Sequence, residues 1–149
     1  MKTKLSQLIV PERIVDLECE SKEEVLTKLV ELLAKSKNVS DKNAVLEAVF
    51  AREKVISTGI GIGIAVPHVK IPQIKDFVIA IARLKNGIDF QALDDEPVHL
   101  VIMIGANDKQ SGDYLKLLAE VIKRCKDPEK RRIIMEAKSA QEIADHFSR

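Results

Sequence analysis

The alternation of apolar and polar positions divides the chain into a short strand, two helices, a glycine-spaced segment, two dense apolar runs and a helical remainder. Residues 13–19 (RIVDLEC) read as the first strand. Ser21 followed by Glu24 forms a capping box, in which each side chain satisfies the other residue's free backbone N–H. Val25, Leu29, Leu32 and Leu33 recur at helical spacing, which predicts an amphipathic helix over 21–37. Ser40 is placed to cap a second helix with Ala44, Val45, Ala48 and Val49 on its buried stripe, running out near Arg52–Lys54. Phe77 to Ala82 and Val98 to Ile104 are near-continuous, largely β-branched runs, the pattern of strands covered on both faces. Between them Asn86-Gly87 carries a hairpin-turn signal. Tyr114, Leu117, Leu118, Val121, Ile122 and Cys125 then fall at steps of three and four. Pro128 suits the first turn of another helix, and Ser139 with Glu142 repeats the capping box for a last one. This order predicts one α/β domain over 1–149, with a mixed sheet between helical layers.

Composition narrows the function classes. A chain of 149 residues with 46% hydrophobic positions buries a core without disulfide or metal staples. Aromatic residues make up only 3% and the formal charge is +1, which argues against base-stacking and polyanion-binding modules and so against a nucleic-acid partner. No run reaches the roughly 18 apolar residues that a membrane span needs. Lys2 and Lys4 lead into no apolar core, so no secretory leader and no membrane insertion are expected, and the expected location is cytoplasmic. Cys19 and Cys125 show no CxxC pattern and read as buried small side chains rather than a disulfide. His68, His99 and His146 lack metal-ligand spacing, so neither a metal nor a cofactor is expected. His99 reads as a core or edge residue of its strand, and His146 as facing water. The basic residues from Lys123 to Arg132 interleave with Asp127 and Glu129, giving a solvated helix face or a docking surface for an acidic partner.

The chemistry concentrates in Ser57 to His68, STGIGIGIAVPH. Its three glycines do not match GxGxxG, they follow a helix where a dinucleotide fold needs a strand, and no GK[ST] ending is present. Alternate glycines instead leave a backbone able to turn several N–H groups toward one anion. A histidine fixed just beyond, behind Pro67, would sit beside those donors. The plainer reading is a glycine turn followed by a surface histidine. The length of the string favours the anion site.

Arg52-Glu53-Lys54 and the segment from Ser57-Thr58-Gly59 through Ala65-Val66-Pro67-His68 closely resemble the signature of the enzyme IIA domains of the fructose/mannitol class. These belong to the bacterial phosphoenolpyruvate-dependent phosphotransferase system, and nitrogen-regulatory IIA proteins share the signature. The likeness extends from about Leu5 to Phe147 and includes the NGIDFQALDD stretch. It implies a three-layer α/β/α sandwich with a mixed sheet. It also implies a phosphoryl carrier whose His68 accepts a phosphoryl group from the carrier protein HPr. The group then passes to a IIB partner or serves as a regulatory signal. Neutral imidazole suits this role, because its pKa near 6.5 leaves a lone pair available at neutral pH. By resemblance Arg52 matches the family's active-site arginine, whose guanidinium grips two phosphate oxygens. N–H groups of Gly59, Gly61 and Gly63 are expected to stabilise the transferring oxygens. Ser57 and Thr58 read either as hydroxyl donors or as turn residues. Many members carry a second histidine where this chain has Tyr114, which donates one O–H bond but does not become cationic. Tyr114 reads equally as site lining and as core packing, and transfer is expected to be slower than in histidine-bearing relatives. That departure keeps open a second class, a regulatory docking module with vestigial phosphotransfer. The absence of attached IIB or membrane segments leans the expectation toward the nitrogen-regulatory branch.

Overall fold

The computed structural model describes residues 5–147. Lys2 and Lys4, on which the expectation of no secretory leader rests, lie outside them. The chain order is α1 (Leu5–Leu8), a 3-10 turn (Pro11–Arg13), β1 (Ile14–Leu17), α2 (Lys22–Leu33), α3 (Lys42–Val55), β2 (Gly59–Gly61), β3 (Ile64–Ala65), β4 (His68–Lys70), β5 (Val78–Ile88), β6 (Val98–Ala106), α4 (Ser111–Lys126), α5 (Pro128–Glu136) and α6 (Ala140–His146). The strands form one mixed sheet in the order β1-β5-β6-β3-β2, with β4 also pairing β6. β5 and β6 are antiparallel, while β1 on β5 and both β3 and β4 on β6 are parallel.

Period-two alternation along the two long strands explains the layers. Ile79, Ile81, Leu100, Ile102 and Ile104 pack with Leu117, Val121, Ile134 and Ile143 of α4, α5 and α6. Their strand neighbours Val78, Ala80, Ala82, Val101 and Met103 pack with Leu29, Leu33, Val45 and Val49 of α2 and α3. Both faces of the sheet are therefore covered, and the result is the expected three-layer α/β/α sandwich. Cys19 and Cys125 are buried free thiols in opposite layers.

Several boundaries differ from the sequence expectation, each for a local reason. The first strand stops at Leu17, the last residue paired with β5. α2 ends at Leu33 because Lys35 and Ser36 donate to carbonyls three residues back, tightening 34–36 into turns. The second helix is capped by Asp41, whose carboxylate accepts from the Ala44 N–H at 3.1 Å; the Ser40 hydroxyl donates instead to the Gln73 carbonyl. Half of each capping box forms, Glu24 and Glu142 donating their N–H groups to Ser21 and Ser139. In each, the returning carboxylate reaches one residue further back than expected, to the N–H of Glu20 and Lys138. Asn86-Gly87 makes no turn. It lies inside β5, and the chain reverses over 89–97, where Gln91 and Asp95 adopt positive φ. Gly87 is required by close approach, since a Cβ there would stand 2.6 Å from the Pro97 Cβ.

Candidate functional site

His68 opens β4, where Ile104 of β6 is its parallel partner. The Pro67 carbonyl accepts the Ile104 N–H at 2.9 Å and pins the strand just before the ring. Val69 enters the core beneath α2 and α3, so alternation turns His68 and Lys70 toward α4. The His68 ring is half-buried, and its Nδ1 lies 2.7 Å from the Val66 carbonyl oxygen. A carbonyl only accepts, so Nδ1 holds the proton and Nε2 carries the lone pair. Burial pulls the ring's pKa below its ordinary value and the Arg52 charge pulls the same way, against the Val66 bond and Glu53. The ring is thus neutral at pH 7, with its lone pair on Nε2.

Arg52, Lys70 and Tyr114 line the same cleft of about 350 Å³, together with Ala48 and Ile71. Arg52 is half-buried on the last turn of α3, and its Nη1 donates to the Ile56 carbonyl at 2.8 Å. One bond thereby caps the helix end and anchors the guanidinium, whose fork has five donors. Tyr114 is buried in the first turn of α4, its ring centroid 6.0 Å from that of His68 and tilted by 52°. Burial pushes its phenol up to about 12, so it is a neutral O–H donor. It belongs to the core cluster and also lines the cleft. No carboxylate is among the residues lining the cleft. Two cations, a phenol and a neutral imidazole suit a small anion.

Lys70, which lines the same cleft, was not legible from motifs. Its signal is the i, i+2 spacing from His68 on a strand, which places both on one face.

The remaining sequence candidates lie elsewhere. None of Ser57, Thr58, Gly59, Gly61 and Gly63 lines this cleft. The Ser57 hydroxyl donates to the Phe90 carbonyl and accepts the Gly59 N–H at 3.0 Å. Thr58 is buried, and its N–H and Oγ1 donate to Glu53 at 2.9 and 2.7 Å. Gly61 and Gly63, at φ 92° and 79°, flank Ile62 at φ 55° and make the tip of a β2–β3 hairpin. Such consecutive left-handed residues need glycine, and the β-branched Ile62 is held there partly by its N–H bond to Asp94 at 2.9 Å. The Gly63 carbonyl accepts from both His99 and Leu100. The glycine spacing serves hairpin geometry and packing, and the donors around His68 come from α3, β4 and α4 instead. His99 is exposed on β6, and His146 is half-buried with its ring edge-on to Phe147. Among the described residues, no cluster of three or more His, Cys, Asp or Glu side chains is arranged to hold a metal ion.

A neutral, oriented imidazole thus stands in a cation-lined cleft on a mixed sheet between helical layers. The family described as "Phosphoenolpyruvate-dependent sugar phosphotransferase system, EIIA 2" matches residues 9–149, and the chain belongs to that family. It is 36% identical over 143 residues to the PTS system fructose-specific EIIABC component of Bacillus subtilis, covering 95% of this chain but only 22% of that protein. It is 34% identical over 142 residues to a nitrogen regulatory protein of Bradyrhizobium diazoefficiens, covering 93% of this chain and 91% of the relative. The crystal structure of nitrogen regulatory protein IIA-Ntr from Neisseria meningitidis superposes with a TM-score of 0.89 at 28% identity, over 96% of this chain and 98% of that one.

Proposed function

We propose that the protein is a cytoplasmic phosphoryl carrier of the phosphotransferase system, in which His68 Nε2 takes a phosphoryl group from HPr. The observation that carries this reading is the Nδ1 contact with the Val66 carbonyl at 2.7 Å, which fixes the tautomer and leaves Nε2 as the nucleophile. The Nε2–P bond forms as the donor's N–P bond breaks, and the electron pair of that bond returns to the donor nitrogen. Nδ1 keeps its proton throughout, so the step needs no general base. The protein's part is positioning and charge, which dominate phosphoryl transfer. Arg52 neutralises the transferring oxygens, and Tyr114 lines the same cleft. The carried group then goes to a IIB partner or reports on carrier status to a regulatory target.

The test is incubation with phosphoenolpyruvate, enzyme I and HPr, followed by intact mass measurement. The expected result is an acid-labile gain of one phosphoryl group that is lost in His68→Ala. Tyr114, standing where many relatives carry histidine, favours the second reading, a docking module without transfer. That reading predicts no mass gain, with partner binding retained in His68→Ala.

A further inference from the structure

Lys70 lies on the exposed end of β4 with its ammonium held at two points, both on α4. Its Nζ donates to the Ser111 hydroxyl at 2.8 Å and stands 5.8 Å from the centroid of the Tyr114 ring. Neither contact neutralises it, because a hydroxyl and an aromatic face orient a cation without cancelling its charge. The ring beneath it is the same one that faces His68 at 6.0 Å. The cleft therefore holds its charges on two sides, with Arg52 on α3 and Lys70 leaning on α4. A long, flexible amine held on a hydroxyl and a ring face, with no carboxylate in the cleft, can turn from them as Arg52, bonded to the Ile56 carbonyl at the end of its own helix, cannot.

We infer that Lys70 is a further residue of the phosphoryl site, held on Ser111 and Tyr114 before transfer and moving onto the phosphoryl oxygens carried by His68. This rests on His68 being the acceptor. Lys70 makes and breaks no covalent bond; it supplies charge to the group in transit and to the phosphohistidine, while Ser111 and Tyr114 are positioning residues that act through it. The inference separates Lys70 from a mere docking cation. A docking role changes the concentration of HPr needed for half-maximal transfer. A site role changes the transfer step itself and the lifetime of the phosphohistidine.

The experiment is single-turnover transfer from phosphorylated HPr over concentrations up to saturation, with the lifetime of the phosphohistidine followed by mass, for wild type, Lys70→Gln, Lys70→Arg, Ser111→Ala and the double variant Lys70→Gln/Ser111→Ala. Lys70 and Ser111 are exposed, so folding is preserved and is checked by circular dichroism. Lys70→Gln is expected to slow saturated transfer by about tenfold or more and to shorten the lifetime, by the usual effect of removing one donor of developing charge. Lys70→Arg restores most of both. Ser111→Ala has a smaller effect, which vanishes in the Lys70→Gln background. The inference is overturned if Lys70→Gln matches wild type, or if only the half-saturating HPr concentration moves. A wild-type protein that takes up no phosphoryl group ends the His68 reading itself, and this inference with it.

Discussion

At the scale of single residues, the decisive fact is a proton fixed on one nitrogen of one ring. His68 is half-buried against Tyr114 and bonded through Nδ1 to its own backbone two residues back. Its pKa is lowered, first by burial and then by Arg52. The neutral form therefore persists below the ordinary imidazole value of about 6.5. Phosphoryl uptake is expected to hold level as pH falls through 6.5 and to decline only below it. An NMR titration of the ring should give a midpoint under 6.5; a midpoint at or above that value contradicts the burial argument. The sign for stability follows. The unfolded chain binds the proton first, so the ring's contribution is present above pH 6.5 and is lost as pH falls through the lower folded value. The Val66 contact was beyond reach of sequence reasoning, because the torsions that close it belong to the fold and not to a motif.

At the scale of elements, a buried ion pair ties the helix that carries Arg52 to its surroundings. Lys22, in the first turn of α2, lies 2.7 Å from Glu53 on α3, with both side chains at or below 10% exposure. Glu53 also accepts both donors of Thr58, and Lys22 donates to the Phe90 carbonyl and to the Gln91 side chain. The network thus joins two helix ends, the start of the glycine segment and the 89–97 loop. Removing one partner of such a pair leaves a buried charge uncompensated, which costs about 3–5 kcal/mol. Glu53 keeps its Thr58 donors, so Lys22→Met is expected to lower unfolding free energy by about 3 kcal/mol. Lys22→Met with Glu53→Gln should cost less than the single change. Urea unfolding measures both, and a single variant as stable as wild type would mean the pair is not holding these elements together. Glu53 stands in the Arg52-Glu53-Lys54 string recognised from sequence. Its partner on another helix, 31 positions earlier, is a tertiary fact.

At the scale of the whole molecule, the hairpin of β2 and β3 is held against the 89–97 loop through Gly59. A Cβ at Gly59 would lie 2.8 Å from the Ala92 Cβ and 3.0 Å from its Cα, and the Leu93 N–H already bonds to the Gly59 carbonyl. Backbone on the far side leaves little room to yield. Gly59→Ala is expected to destabilise by about 2 kcal/mol through overpacking, visible in thermal unfolding, while the folded variant keeps its phosphoryl uptake. Loss of uptake in a well-folded Gly59→Ala protein would return the glycines to the site. The sequence by itself determined the α/β class, the starts of α2, α5 and α6 at Ser21, Pro128 and Ser139, the doubly covered strands and the candidacy of His68 and Arg52. These follow from local chemistry: residue periodicity, capping side chains, and a string whose order is written along the chain. Only the tertiary structure decided the rest. It drew Tyr114 and Lys70 to His68, turned the hydroxyls of Ser57 and Thr58 inward, and moved the reversal from Asn86-Gly87 to the loop beyond Ile88. The physical reason is common to all three: backbone donors and side chains find partners by distance in space, and sheet pairing and layer packing set those distances across long separations in sequence.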